Sequence, residues 1–104
     1  IVADQFIVGW YAQFAIEGMS MGKPVMTYLR PDLIELYARE SYAGECPIVN
    51  TPPEMIKETL RRLVEDPRRR SELGRKGRVY VEKYHSLNSV GLLFDGIFRA
   101  VWKP

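Results

Sequence analysis

One carboxylate stands out in the first third of the chain. Glu17 lies within Phe14-Ala15-Ile16-Glu17-Gly18-Met19, where every other residue is apolar. A carboxylate buried bare is expensive or is forced to protonate. The position therefore predicts a partner: an ion pair or helix-to-loop hydrogen bond on one reading, a bound ligand on the other. Upstream, Gly9 opens Gly9-Trp10-Tyr11-Ala12-Gln13. A glycine followed by a helix start lets backbone approach a ligand closely, and the unpaired N–H groups of a first turn attract an anion such as a diphosphate. Trp10 and Tyr11 are either stacking walls of such a site or ordinary packing at a strand-to-helix corner.

Other reactive residue types read more quietly. His85 stands one residue before a capping serine, with no cluster of ligands beside it, and reads as a surface residue at a helix end. Cys46, between Glu45 and Pro47, carries no mark of a nucleophile. A lone cysteine has no internal disulfide partner, which fits a reducing, cytoplasmic setting. Met19, Met21, Met26 and Met55 suit core gaps better than a cofactor box. The residues predict no metal site and no cofactor.

Charge is uneven. Residues 1–56 hold three Lys/Arg against seven Asp/Glu, whereas residues 57–83 hold ten against five. The basic stretch includes Arg61, Arg62, Arg68, Arg69, Arg70, Arg75, Lys76 and Arg78. No aromatic residue lies between Lys57 and Val79 to stack on a base, so nucleic acid is not the expected partner. The stretch reads as solvated helix faces, compatible with peripheral membrane contact.

These residues need elements to position them. Val2 to Val8 reads as a short strand broken at Asp4-Gln5, and Trp10 to Met21 as a helix with Phe14, Ala15, Gly18 and Met19 on one face. Gly22-Lys23-Pro24 stops that helix. Pro24 to Leu29 is a second strand, Pro31 to Tyr42 a weaker helix, and Pro47 to Asn50 a third strand. A helix follows Thr51-Pro52-Pro53-Glu54, with Ile56, Leu60, Leu63 and Val64 at core spacing. Asp66-Pro67 starts another by an N-cap oxygen and a proline at the first position; it places Leu73, Gly77, Tyr80, Val81 and Tyr84 together. Ser86 caps a last helix with Val90, Phe94, Ile97 and Val101 inward.

Strands alternating with helices imply parallel pairing through crossovers. The fold class expected is α/β: half of a doubly wound, Rossmann-like domain, a short parallel sheet of about three strands covered by helices. The 104 residues begin at Ile1 inside an apolar run, without an initiator methionine. The expectation is a piece of a longer chain, with an exposed sheet edge that favours a homo-oligomer in isolation. No run approaches the roughly 18 apolar residues of a membrane-spanning helix.

The segment from Asp4-Gln5-Phe6 through Gly9-Trp10-Tyr11-Ala12 to Ala15-Ile16-Glu17-Gly18-Met19-Ser20-Met21-Gly22-Lys23-Pro24-Val25 resembles the C-terminal half of GT-B fold glycosyltransferases of the retaining, group 1 type. Pro47-Ile48-Val49, Glu65-Asp66-Pro67, Leu73 to Arg78 and Lys83-Tyr84-His85-Ser86 follow in that family's order. The resemblance implies transfer of a sugar from a nucleotide diphosphate sugar donor, with Glu17 on the donor ribose as the second glutamate of a Glu-x7-Glu motif. Gly9 falls where the first glutamate stands, a departure from the pattern. The amides of Tyr11, Ala12 and Gln13 match the helix start that faces the sugar and diphosphate. Asp4 or Arg30 is available to supply polarity that Gly9 lacks. The resemblance also implies that the acceptor site and the phosphate-gripping Arg and Lys lie in an N-terminal domain and half-domain outside this chain. No catalytic residue is then expected here, and no turnover by the isolated chain. The other readings are a noncatalytic, glycosyltransferase-like module for partner or nucleotide binding, and a generic small α/β binding domain.

Overall fold

The computed structural model describes residues 1–39 and 43–102. Among these residues three short strands, β1 (Val2–Ala3), β2 (Val25–Thr27) and β3 (Val49–Asn50), form one sheet in the order β1-β2-β3. All pairing is parallel, with Val2 opposite Val25, Met26 opposite Val49 and Thr27 opposite Asn50. Among the described residues five α-helices follow: α1 (Gln13–Ser20), α2 (Pro31–Ala38), α3 (Ile56–Glu65), α4 (Pro67–Tyr84) and α5 (Leu87–Val101). The architecture is a small, open, three-stranded parallel α/β sheet with helices. Part of the expected second helix, residues 40–42, lies outside the described residues.

The core sits between the sheet and the α1–α4 pair. Ala15 and Met19 of α1, Val25 and Leu29 around β2, Ile48 before β3, and Tyr80 and Val81 of α4 form one buried cluster with Tyr11. The close packing of α1 on α4 depends on small residues. Gly77 lies against Met19, and a side chain on Gly74 would meet the Gly22 carbonyl oxygen at 2.0 Å. Arg78 ties the same two helices by donating to the Ser20 carbonyl at 2.7 Å.

Several boundaries differ from those the sequence predicts. The first strand is two residues long rather than seven: the Gln5 carbonyl still meets the end of β2, accepting the Tyr28 N–H at 3.1 Å and the Thr27 hydroxyl, and the Gln5 side chain then gathers the chain into a loop through Val8 and Trp10. Helix α1 starts at Gln13, not Trp10, since Ala12 is extended (φ −127°, ψ −166°) and stands as the N-cap. In α3 only Leu63 is buried; Leu60 and Val64 face solvent. The Asp66 cap holds, accepting the Arg69 N–H at 2.9 Å, and Arg70 closes the end of α3 by donating to the Leu63 and Val64 carbonyls.

Helix α5 is the largest correction. Ser86 caps it as expected, accepting the Ser89 N–H at 3.1 Å. Its apolar residues do not turn inward: Phe94, Ile97 and Val101 are exposed, Val90 is half-buried, and no residue of α5 is fully buried. The helix leaves the body at Ser86 and lengthens the molecule to 57 × 26 × 19 Å.

Candidate functional site

The loop of residues 4–12 leaves the carboxyl end of β1 and delivers the chain to α1. Two polar side chains shape it. Asp4 Oδ2 accepts the Ala12 N–H at 2.9 Å. Gln5 accepts the Val8 N–H at Oε1, 2.9 Å, and donates from Nε2 to the Trp10 carbonyl. The loop is therefore held by its own first two residues. On its outer side Ile7 and Val8 point into solvent.

Gly9 and Arg30 meet across this loop. The Arg30 N–H donates to the Gly9 carbonyl at 2.8 Å, and the Arg30 stem covers the glycine so closely that a Cβ there would lie 2.2 Å from its Cγ and Cδ. The Arg30 guanidinium turns to Asp32 in a two-point contact, Nε to Oδ1 at 3.1 Å and Nη2 to Oδ2 at 2.6 Å. Its hydrogen bond to Arg30 holds the Asp32 carboxyl below the usual carboxylate range. Arg30 thus covers the loop, but its charge is already matched.

The three amides predicted to face an anion are not equivalent. Tyr11 precedes the helix, so its N–H is not part of the first turn. Ala12 is the N-cap residue, and its N–H is occupied by Asp4 rather than open to a ligand. Gln13 heads the helix proper and is exposed. One carboxylate of the chain already serves as the anion at this helix start.

Glu17 lies one turn beyond Gln13. It was expected in an apolar environment needing a partner, and the structure places it outside: Ala15, Gly18 and Met19 are buried while Glu17 is exposed. An eight-residue helix on a small sheet buries only one stripe, and Glu17 falls off it. Among the described residues its carboxylate has neither hydrogen bond nor ion pair. Gln13 and Glu17 share one face, an open polar pair beside the loop.

Trp10 and Tyr11 belong to an aromatic cluster. The Trp10 ring stacks on Tyr11, with centroids 5.4 Å apart, and lies 4.7 Å from Tyr37. Tyr11 is buried, and its hydroxyl lies 2.9 Å from both Tyr80 Oη and His85 Nε2. Burial, with the hydrogen bond to Tyr11, pushes the Tyr80 phenol well above its ordinary value. Burial also raises the Cys46 thiol and lowers the His85 imidazole. His85 does end a helix, as C-cap of α4, but half-buried and bonded rather than at the surface. Nothing in the spacing of Tyr11, Tyr80 and His85, far apart in sequence, could have announced their meeting.

Neither of two surface grooves coincides with the Gly9–Glu17 region. The larger, about 720 Å³, runs beside β3 and α3, over Leu63 and between Arg62, Glu65, Asp66 and Arg69. A smaller one of about 260 Å³ lies among Glu45, Arg75, Lys76, Val79 and Tyr80. Among the described residues, no three His, Cys, Asp or Glu side chains are grouped as a metal ion would need. The basic stretch is laced with acids: Glu58 pairs with Arg61 and Arg62, Glu72 with Lys76, and Glu82 with Arg78. No described helix is long and apolar enough to cross a membrane. Compared with known proteins, the chain matches no family model, no curated protein and no solved structure.

Proposed function

We propose that this chain is the donor-binding portion of a glycosyltransferase, acting within a longer polypeptide whose doubly wound, Rossmann-like domain it half supplies. On this reading Glu17 receives the two ribose hydroxyls of a nucleotide diphosphate sugar, which a carboxylate does by accepting from both O–H groups at once. The observation that carries it is the conjunction at one sheet edge of a tight glycine loop and, on the helix that follows, an exposed carboxylate with no hydrogen bond or ion pair among the described residues. Ligands of open parallel α/β sheets bind beyond the carboxyl ends of the strands. Gln13 and the first-turn amides beside it lie toward the diphosphate; Trp10 and Arg30 shape the loop.

The test is nucleoside diphosphate binding, followed by calorimetry or NMR, for wild type, Glu17→Ala and Glu17→Gln. Loss of charge-assisted hydrogen bonds worth about 1.5–3 kcal/mol weakens binding roughly ten- to hundredfold. A 2′,3′-dideoxy nucleotide binds wild type and variant alike. Equal affinity of wild type and Glu17→Ala for the ribose form overturns the assignment.

A second reading, a noncatalytic glycosyltransferase-like module, has its own support. Arg30, the cation packed against Gly9, is neutralised by Asp32, and stabilising a departing diphosphate needs positive charge in place. Sugar transfer from a nucleotide-sugar donor by the longer polypeptide overturns that reading.

A further inference from the structure

Three ties hold the loop of residues 4–12, and one of them reaches a distant helix end. Asp4 and Gln5 bind the loop to itself, and the Arg30 N–H holds the Gly9 carbonyl. Tyr11 instead crosses to α4. Its hydroxyl lies 2.9 Å from Tyr80 Oη and 2.9 Å from Nε2 of His85, the residue that ends α4. The Tyr11 and Tyr80 rings meet the imidazole edge-on, with centroids 5.7 and 5.6 Å away.

What Tyr11 anchors is the start of α1. Ala12, the next residue, is the N-cap, and its methyl side chain offers no oxygen to the first-turn N–H groups. Helix α1 therefore lacks the capping bond by which Asp66 and Ser86 start α4 and α5. Its start is fixed from outside: Asp4 accepts the Ala12 N–H, and the anchored Tyr11 sets the chain just before it. Gln13 follows within about 7.6 Å of Tyr11, Cα to Cα. We propose that His85 is a positioning residue of the candidate site, acting through Tyr11 on the head of α1, so that the state of the imidazole is felt at Gln13. The ligand positioned there rests on the nucleotide reading above; the coupling itself does not.

Hydrogen-bond chemistry gives the link two arrangements. The Tyr11 hydroxyl has one proton to share between Tyr80 and His85. Where Nε2 is bare, Tyr11 donates to His85 and accepts from Tyr80. Where Nε2 carries hydrogen, Tyr11 accepts from His85 and donates to Tyr80. A neutral ring allows either arrangement; a protonated ring, with hydrogen on both nitrogens, allows only the second. Few other charges intrude. The titratable groups facing His85 are the phenols of Tyr11, from the loop, and Tyr80, from its own helix, with Tyr84 beside it in sequence. Lys83 is paired with Glu45, and α5 carries only Asp95 and Arg99, paired with each other.

Amide NMR during a pH titration tests the link without any ligand. His85 is the single histidine of the chain, and its ring titrates above the range of ordinary carboxylates. The Gln13 N–H is expected to shift with the midpoint of the His85 ring protons. Tyr11→Phe, which keeps the ring and removes the hydroxyl, abolishes that step; Tyr80→Phe, which leaves the Tyr11–His85 contact, retains it. A step that persists in Tyr11→Phe is a through-space field and overturns the proposal, as does its absence from wild type.

Binding of uridine or guanosine diphosphate, whichever wild type takes more tightly, reads the consequence. Tyr11→Phe and His85→Phe each weaken it about three- to tenfold, the worth of one ordinary hydrogen bond. The double variant is weaker than either single by no more than about twofold, because both cut one link. His85→Gln, whose amide still reaches Tyr11, restores affinity to within about threefold of wild type. Near-ultraviolet circular dichroism confirms that each variant stays folded. Full binding by Tyr11→Phe, with binding lost in Glu17→Ala, overturns the positioning role and leaves the nucleotide reading standing. No binding by wild type, with the Gln13 step present, overturns the nucleotide reading and leaves the coupling.

Discussion

The stem of Arg30 occupies the space that a side chain on Gly9 would need. A Cβ on that glycine would lie 2.2 Å from two Arg30 carbons, and the backbone there has φ +91°. Two separate costs thus attach to any substitution of Gly9. A glutamate at this position, as the resembled motif carries, cannot be accommodated without moving Arg30 and its bond to Asp32.

Gly9→Ala is expected to destabilise the fold by about 1–3 kcal/mol, the range for a non-glycine residue held in a sparsely populated conformation plus steric displacement. Arg30→Ala relieves the clash but not the φ penalty. Urea unfolding of the two single variants and the double variant separates the parts. A coupling below about 0.5 kcal/mol means that the contact with Arg30 contributes nothing.

The same change has opposite signs at two helical glycines. Gly96 has no neighbour within 4 Å of a built Cβ, so Gly96→Ala stabilises by about 0.5–1 kcal/mol through helix propensity. Gly74→Ala drives a methyl into the Gly22 carbonyl at 2.0 Å, forcing α4 off α1 and costing about 1–3 kcal/mol as overpacking does. Thermal melts of both variants decide it; a stabilised Gly74→Ala refutes the α1–α4 contact.

Glu17→Ala should leave stability within about 0.5 kcal/mol of wild type, as exposed substitutions without partners do. A larger loss on chemical denaturation shows that the carboxylate has a structural partner. That result separates a failure of the fold from a failure of ligand binding.

Acid should weaken the fold in a defined window. Burial lowers the His85 pKa in the native state, so the unfolded chain takes up the proton first. The contribution is complete above the unfolded value of about 6.5. It declines as pH falls below that value and levels off once the lower native pKa is passed. The ring sits half-buried with Nε2 2.9 Å from the Tyr11 hydroxyl, where a charged imidazolium loses solvation. Denaturation between pH 7.5 and 5 should therefore show a decline in wild type that His85→Gln lacks. The carboxyls of Asp32, Glu45 and Glu72, all held low by their partners, lose their contributions only at more acidic pH. Identical profiles for wild type and His85→Gln rule out the histidine as the source.

Element order was open to sequence reading because it rests on local chemistry. Asp66-Pro67 and Ser86 begin helices by capping bonds that span three residues, and proline at the head of β2 and α2 acts on its own backbone. The packing stripe of α4 was equally readable, since Gly77, Tyr80 and Val81 repeat at helical spacing on one buried face. Parallel pairing followed from the alternation of strands and helices.

The candidate site was legible only in part. Gly9 and Glu17 were visible as residue types in a suggestive order. Their surroundings were not: the Asp4–Ala12 bond, the Gln5 clasp and the Arg30 stem over Gly9 each join residues that no periodicity relates. The exposure of Glu17 turns on how narrow a stripe a short helix buries, which depends on the size of the sheet beneath it.

Neighbouring residues specify an α/β chain of short parallel strands, the starts of α4 and α5, and a carboxylate following a glycine loop, because caps, turns and hydrophobic spacing are local. Long-range packing brings Tyr11 to Tyr80 and His85, closes Arg30 over Gly9, and leaves the apolar face of α5 pointing outward. An amphipathic pattern states that a face will be covered. What covers it depends on the surfaces that long-range packing leaves open.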